Sequence, residues 1–318
     1  MQLITKKLFR FVLIVLAVSA ITFLMVNLLP GDVAYIIGGE DATIEDIKAI
    51  RKDLGLDRNI MVRYFIWLGN ALCGDLGISY LTEESVLDAI LSRLPVTIEL
   101  ILLSQFIALL LALPAGIVSA YRNGTLIDRL ISGFGFATLS IPSFVMALLT
   151  IYLFSIQLRW FPATGYTPLF AGPGANIKSF LLPALSIAFI EWVVLMRVLR
   201  SDMITTLNQN YILMARAKGL PPWRVLLQHA LRPSSFTFIT ILGIQLGRYI
   251  GEAVIVETIF ALPGIGRLLV DAIYTRDYLM VQGCILVITI GYVAINSIVD
   301  IVYTLLDPRL RTEAFHGN

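Results

Sequence analysis

Long apolar stretches without charge alternate with short polar segments along most of this sequence. A helix needs about 20 apolar residues to cross the hydrocarbon core of a membrane. Three stretches reach this length or nearly so with no charged side chain, at residues 11–29, 100–121 and 130–158. Three others contain one to three ionisable residues or end beside one, at 179–196, 236–259 and 278–299. The pattern predicts six transmembrane helices.

The first stretch follows Lys6, Lys7 and Arg10, as the apolar core of a signal peptide would. Its 19 residues exceed the usual signal core of roughly 7–15 residues, and no A-x-A-type cleavage site follows. We therefore expect a retained membrane anchor.

The composition is typical of a membrane protein. Hydrophobic residues make up 58% of the 318 residues and charged residues 14%, with a mean hydropathy of +0.83. Soluble domains are about 45–50% apolar and about 25% charged. The net charge of only +2 gives no reason to expect a nucleic acid partner. Cys73 and Cys284 form no metal or redox motif, so we expect two unpaired thiols.

Basic residues predict the orientation, because they favour the cytoplasmic side of short loops. The amino terminus, the loop after the second stretch, residues 197–235 and the tail are basic, and all lie on one side if six helices cross. Residues 31–95 lie opposite and carry six basic and eleven acidic residues. We expect a multi-pass protein of the cell (inner) membrane with both termini cytoplasmic.

Residues 31–95 are too polar to span and too long for a plain connector. Thr43 to Asp46 resembles a capping box, followed by one apolar helical face. A second amphipathic stripe runs from Leu87 to Leu94 and is expected to stop at Pro95. We predict a small helical subdomain outside the membrane, which serves either as a docking surface or as a packing cap.

Enzyme motifs are missing from the sequence. It has two histidines and no G-x-S-x-G, H-E-x-x-H or cysteine cluster, so we expect no catalytic residues, no metal site and no cofactor bound by this chain. Transport is the natural function of several spans that contain polar residues.

The fifth predicted span contains three ionisable residues, Arg248, Glu252 and Glu257. Charges at membrane depth cost roughly 2.5–3.5 kcal/mol each on insertion scales, so each needs a partner or water. Arg248 and Glu252 are four residues apart and could pair on one helical face. Either these side chains line a translocation path for a zwitterionic or cationic solute, or they are a structural pair with Glu257 near the interface. Glu99, Glu191 and Asp300 are expected at span ends.

The basic segment 197–235 has a helix–turn pattern. Small and cationic residues from Ala215 to Lys218 precede Gly219, which is expected to cap a short helix, and a second helix is expected to begin near Pro221 and Pro222. This segment is either an ordinary cytoplasmic loop or a docking element for a partner's groove.

Residues 211–233 resemble the EAA loop of importer-type ABC permeases, in the form Y-x-x-x-A-R-A-K-G-L of the dipeptide, oligopeptide and nickel subfamily. Further motifs resemble this family in order along the chain. They are Leu29-Pro30-Gly31-Asp32, Leu54-Gly55-Leu56-Asp57, Trp67-Leu68-Gly69, Gly74-Asp75-Leu76-Gly77-Ile78-Ser79, Glu257-Thr258-Ile259-Phe260, Pro263-Gly264-Ile265-Gly266, Arg276-Asp277-Tyr278, Val281-Gln282-Gly283 and Leu306-Asp307-Pro308-Arg309. The long external region is more similar to the first permease of such systems than to the second.

The resemblance implies a type I ABC importer permease fold. Its parts would be a cytoplasmic terminus with the first helix (1–30), the external subdomain (31–95), a five-helix permease domain (96–306) containing the coupling loop 197–235, and a tail (307–318). It also implies partners: a homologous second permease, two cytoplasmic ATPases that bind ATP, and an external solute-binding protein. The ATPases would dock around Ala215, Arg216, Ala217, Lys218 and Gly219.

Two other functions remain open at this stage. A secondary transporter or channel would work from an ion gradient without ATPase partners. A membrane-anchored sensor or assembly factor would use the external subdomain for binding alone. For an importer, the sequence does not distinguish among dipeptide, longer peptide, nickel chelate, opine and glutathione as the solute.

Overall fold

The computed structural model describes residues 2–28, 34, 43–53, 55 and 57–306. This part of the chain is helical with one isolated β-bridge, between Ile78 and Ser85, so the predicted all-α class is confirmed. In chain order the helices are α1 (Gln2–Leu28), α2 (Ile44–Asp53), α3 (Ile60–Leu72), α4 (Val86–Tyr121), α5 (Leu126–Leu139), α6 (Ser143–Gln157), α7 (Pro173–Leu207), α8 (Asn210–Ala217), α9 (Pro222–Phe260), α10 (Ile265–Thr275) and α11 (Tyr278–Leu306). The motifs at 29–32 and 307–309, and Leu54 and Leu56, lie outside the described residues.

Five described helices are long and apolar enough to cross a membrane: α1, α4, α7, α9 and α11. Helices α5 and α6 pass the same test only together, and they bend by 102° at their junction. The span predicted over 130–158 is therefore divided between two helices, and the count of six requires this bent pair to cross once. Pro142 explains the break, because a proline disfavours the α conformation of the residue before it.

Helix α4 does not stop at Pro95, contrary to the sequence expectation. It runs through this residue to Tyr121. Buried side chains on both sides of the proline, among them Ile90 and Val96, hold the helix against its neighbours. Packing of this kind compensates for the single backbone hydrogen bond that a proline removes.

The segment between α2 and α4 contains a helix that the sequence analysis did not predict. Helix α3 begins where the Asn59 side chain accepts a hydrogen bond from the Met61 amide at 2.9 Å. The predicted capping box before α2 is present: the Thr43 amide donates to Asp46 at 3.0 Å and the Asp46 amide donates to the Thr43 hydroxyl at 3.3 Å. Hydrogen bonds from Thr43 lower the pKa of the Asp46 carboxyl.

The chain forms two compact units, which combine segments distant in sequence. The first unit contains residues 1–96 and 263–293. Its apolar core is formed by Phe23, Val26, Trp67, Leu76, Val86, Ala89, Ile90, Ile265, Ala272, Met280, Val281, Cys284 and Leu286. Gly283 allows α11 to approach α4, because a Cβ there would lie 2.4 Å from a methyl carbon of Val86.

Two family-like motifs meet inside the first unit. The Ser79 hydroxyl donates a hydrogen bond to the buried Asp277 carboxylate. Asp277 also accepts from the Met280 amide at 3.2 Å, which caps the first turn of α11. The G-D-L-G-x-S and R-D-Y segments are thus joined by one carboxylate, although they are far apart in sequence.

The second unit contains residues 97–262 and 294–318, and helix α7 lies at its centre. In the most apolar part of α7, 72% of the residues are buried. Helix α7 packs on α5, α6 and α9. Close approaches need glycine: a Cβ at Gly135 would lie 2.9 Å from Val193, and one at Gly243 would lie 2.3 Å from Val299. Helices α7 and α9 extend past their apolar stretches. The segment between them is therefore residues 208–221, which is shorter than the predicted loop 197–235.

Candidate functional site

The helix–turn element between α7 and α9 has the geometry that the sequence predicts. Helix α8 ends at Ala217, and Gly219 adopts a left-handed φ of +77°. The Leu220 amide donates to the Ala215 carbonyl at 3.3 Å and the Gly219 amide donates to the Arg216 carbonyl at 2.9 Å. These two bonds form a Schellman motif, which satisfies the last helical carbonyls. Glycine reaches this conformation without the strain that a Cβ brings.

The faces of α8 differ from the sequence expectation in one respect. Ala215 was expected to fit a partner's groove, but it is only 7% exposed and packs inward, as does Ile212. The outward face presents Leu213, Met214 and Ala217. Arg216, Lys218 and Gly219 are exposed as well. The element therefore offers an apolar surface with cationic edges, and Ala215 is buried within the chain's own fold.

A charge cluster lies between α7 and α9, formed by Glu191, Arg248 and Glu252. The predicted pairing of Arg248 with Glu252 is corrected here: the ion pair of Arg248 is with Glu191, at 3.2 Å between Nη2 and Oε1. Glu191 is fully buried in the middle of α7, so its predicted place at a span end was wrong. The i,i+4 rule considers one helix only, and the packing of α7 on α9 brings a third partner into reach.

Several polar groups in and beside the charge cluster have no hydrogen-bond partner within it. Glu191 and Glu252 interact electrostatically with each other and with Arg248, so two carboxylates share one guanidinium. The Arg248 side chain is 55% exposed, although its partner is buried. Within the described residues, the Tyr249 hydroxyl, Gln245 Oε1 and Glu252 Oε2 are buried without a hydrogen bond. Such groups are costly unless a ligand, water or another chain satisfies them.

Glu257, the third candidate of the predicted span, has a different environment. It is fully buried, and the Thr97 hydroxyl donates a hydrogen bond to it at 2.6 Å. Thr97 lies on α4 and Glu257 near the end of α9, so this bond ties two helices of the second unit.

In the described ranges, no group of three or more His, Cys, Asp or Glu side chains could hold a metal ion.

Comparison with known proteins was decisive for the family. Residues 112–312 match the family described as "Binding-protein-dependent transport system inner membrane component", and residues 1–101 match its N-terminal counterpart. The chain belongs to this family of permeases. Together the two matches cover most of the sequence, including the helix–turn element and the charge cluster.

Relatives span the permease from end to end. A peptide transport system permease protein of Brucella abortus is 41% identical over 309 residues, which cover 97% of this chain and 98% of that protein. A peptide ABC transporter permease protein of Sinorhizobium fredii is 36% identical over 310 residues, with the same coverage. The glutathione transport system permease protein GsiC of Escherichia coli K12 is 33% identical over 308 residues, again with that coverage.

The fold has a counterpart among solved structures. A crystal structure of an amino acid ABC transporter with histidines matches with a TM-score of 0.52 and 16% identity, over 68% of the permease and 93% of that chain. At this identity the likeness concerns the fold alone. The permease is thus the membrane subunit of an ATP-binding-cassette importer with the expected helical architecture, and it is a multi-pass inner-membrane protein.

Sequence reasoning missed one ion pair of the second unit. Arg200 binds Asp128 with two hydrogen bonds, from Nε to Oδ1 at 2.7 Å and from Nη2 to Oδ2 at 2.8 Å. The Ser119 hydroxyl and the Gly124 amide also donate to the buried Asp128 carboxylate. The pair joins α4, α5 and α7 next to the segment that carries α8. In the sequence, both residues look like ordinary loop charges, and nothing in their spacing of 72 residues indicates contact.

Proposed function

We propose that this permease moves peptide-class solutes, with ATP hydrolysis supplied by partner subunits. Support comes chiefly from the relatives, which are named as peptide or glutathione permeases and align over nearly the full chain. The solute would be a dipeptide, a longer peptide or a similar zwitterion. A homologous second permease would form the other half of the path, and an external binding protein would deliver the solute.

The helix–turn element is the proposed docking site for two cytoplasmic ATPases. Its outward face combines exposed Leu213 and Met214 with the cations Arg216 and Lys218. An apolar helix face of this kind needs a cover in water. Closure of the ATPases would shift α8, and the rigid Schellman turn at Gly219 would pass that movement to α9.

Orientation is tested by labelling single cysteines from either side of the membrane, after Cys73 is replaced by serine. We expect Glu45→Cys and Thr164→Cys to react from outside and Lys218→Cys only from inside, because the basic segments favour the cytoplasm. Thr164 follows the bent pair α5–α6. If Thr164→Cys reacted from inside, the pair would be re-entrant, and the side assigned to α8 would be reversed.

The charge cluster is the proposed contact for a zwitterionic solute. The exposed guanidinium of Arg248 would bind the carboxylate, and the unsatisfied oxygen of Glu252 would bind the ammonium group. Glu191 would orient Arg248 from behind. Because Glu257 is buried and accepts a hydrogen bond from Thr97, a structural role is favoured for it over contact with the solute.

A pair of substitutions separates solute binding from structural pairing. Arg248→Gln alone leaves the Glu191 charge buried without a partner, so we expect poor assembly of the complex. In the double variant Glu191→Gln/Arg248→Gln neither member of the ion pair carries a charge and Glu252 is the one carboxylate left in the charge cluster, so assembly should recover in part. Peptide uptake should stay about 10- to 100-fold below wild type, since a charge-assisted hydrogen bond is worth about 1.5–3 kcal/mol.

The control is Arg197→Gln, which removes an arginine of α7 that stacks on Phe136 at 4.9 Å. This variant should assemble and transport normally. If the double variant regained uptake together with assembly, Arg248 would have a structural role only, and the proposed solute contact would be wrong.

A further inference from the structure

A cavity of about 720 Å³ lies in the first unit, apart from the charge cluster and α8. Its wall includes the end of α1 at Asn27 and the start of α11 at Tyr278. Asn27 is the last residue of the candidate membrane span Phe9–Asn27, and Tyr278 is the first residue of the candidate span Tyr278–Val299. Since the ends of two spans meet at the cavity, it lies at the boundary between hydrocarbon and water, where lipid headgroups are found.

Acidic and basic side chains both line the cavity: Asp57 and Asp75 as well as Arg51, Arg58 and Arg63. Arg58 and Arg63 both line it, and in the described part of the chain no carboxylate lies within salt-bridge distance of either. Arg63 is partly buried and lies over the Phe23 ring at 5.9 Å. Burial lowers the pKa of its guanidinium, which remains charged at neutral pH because the reference value is so high. A half-buried, unneutralised cation of this kind attracts an anion.

Aromatic and uncharged polar side chains also line the cavity. Tyr80 lines the cavity, and burial raises the pKa of its phenol, which therefore stays protonated and able to donate. Trp67 and Gln282 line it too, and each has a buried polar atom without a partner among the described residues. Tryptophan and tyrosine are typical of membrane interfaces, because one part of each ring system is apolar and the other is polar.

Apolar side chains of α1 and α3 also line the cavity, next to exposed apolar residues of the same helices. Ile66 lines the cavity and is exposed, next to exposed Phe65 on α3. On α1, Val26 lines the cavity, and the neighbouring Leu24 and Met25 are exposed. A ligand that contacts both the unpaired arginines and these apolar side chains needs an anionic head and an apolar tail.

We propose that this cavity binds an anionic phospholipid, with the phosphate at Arg63 and Arg58 and an acyl chain along Ile66 and Val26. The bound lipid would neutralise two cations at the membrane boundary and fill the space among α1, α3 and α11. This site is independent of the solute that the permease carries.

Lipid retention by the purified importer complex tests the proposal. The complex is placed in nanodiscs of mixed phosphatidylglycerol and phosphatidylcholine, transferred to detergent, and analysed for bound phospholipid by mass spectrometry. We expect wild type to retain phosphatidylglycerol selectively. Arg63→Gln should lower that retention about fivefold, as loss of one basic residue near anionic lipid implies. Arg58→Gln, which changes an exposed side chain and so tolerates replacement, should act in the same direction.

Arg267→Gln is the matched control, since Arg267 lies on α10 of the same unit but not in the cavity wall. Its retention of phosphatidylglycerol should equal that of wild type.

Short-chain phosphatidylglycerol should also raise the thermal midpoint of wild type more than inorganic phosphate, short-chain phosphatidylcholine or a dipeptide. Equal protection by inorganic phosphate would make this a free-anion site, and protection by the dipeptide alone would make it a solute site. Unchanged retention in both arginine variants would overturn the proposal.

Discussion

Replacing Gly219 by valine and Ala217 by tryptophan together is expected to abolish transport while leaving the permease in the membrane. Valine resists the left-handed φ of +77° at position 219, at a cost of roughly 1–2 kcal/mol. Tryptophan at the exposed position 217 would overfill a docked interface, which costs roughly 1–3 kcal/mol. ATPase that co-purifies with the permease should fall to less than about a tenth of wild type. Solute uptake should fall with it.

The matched control makes the same two replacements where no docking is expected. Gly174 and Ala175 lie in the first turn of α7, both exposed, and a Cβ at Gly174 would meet no atom within 4 Å. Gly174 has no left-handed φ, so valine fits there without strain. Gly174→Val/Ala175→Trp should therefore retain the ATPase and transport. Normal co-purification in the Gly219→Val/Ala217→Trp variant would require another docking site.

Asp128→Asn is expected to cause a large loss of stability in the second unit. The change leaves Arg200 without its bidentate partner, and breaking a buried pair costs about 3–5 kcal/mol. Partial exposure of Arg200 places the expected loss near the lower end of that range. Thermal unfolding in detergent should show a midpoint lower by at least about 5 °C.

Asp271→Asn provides the contrast, because Asp271 forms an exposed i,i+4 pair with Arg267 at 3.6 Å. Exposed pairs of this type contribute about 0.3–0.5 kcal/mol, so this variant should unfold within about 1 °C of wild type. A similar midpoint for the two variants would mean that the Asp128–Arg200 pair does not hold α5 to α7. Transport by Asp128→Asn should be weak at temperatures near its midpoint.

Local signals made α8 predictable from sequence. A run of helix formers, a glycine at the C-cap and two following prolines act over a few residues, so the turn at Gly219 was expected and is present. The side of α8 that faces outward was not predictable, because the burial of Ala215 depends on contacts with the rest of the fold.

Proline illustrates the limit of local signals. Pro142 breaks a helix and Pro95 does not, although both occur in apolar surroundings. Val86, Ala89 and Ile90 before Pro95 are fully buried, and this packing is consistent with a helix that continues through the proline. The charge cluster has the same origin, since Arg248 lies within reach of Glu252 along one helix but pairs with Glu191 across two. Contacts between distant segments decide these cases, and a single sequence contains no direct record of them.

Solute uptake into proteoliposomes tests most directly whether this permease works through partner ATPases. The purified complex, its binding protein and a labelled peptide are combined, with ATP on the ATPase side and ionophores to collapse ion gradients. We expect uptake to continue without a gradient, to stop without ATP, and to be absent with Gly219→Val/Ala217→Trp. Uptake that persisted without ATP and disappeared when the gradients collapsed would contradict this mechanism and indicate a secondary transporter.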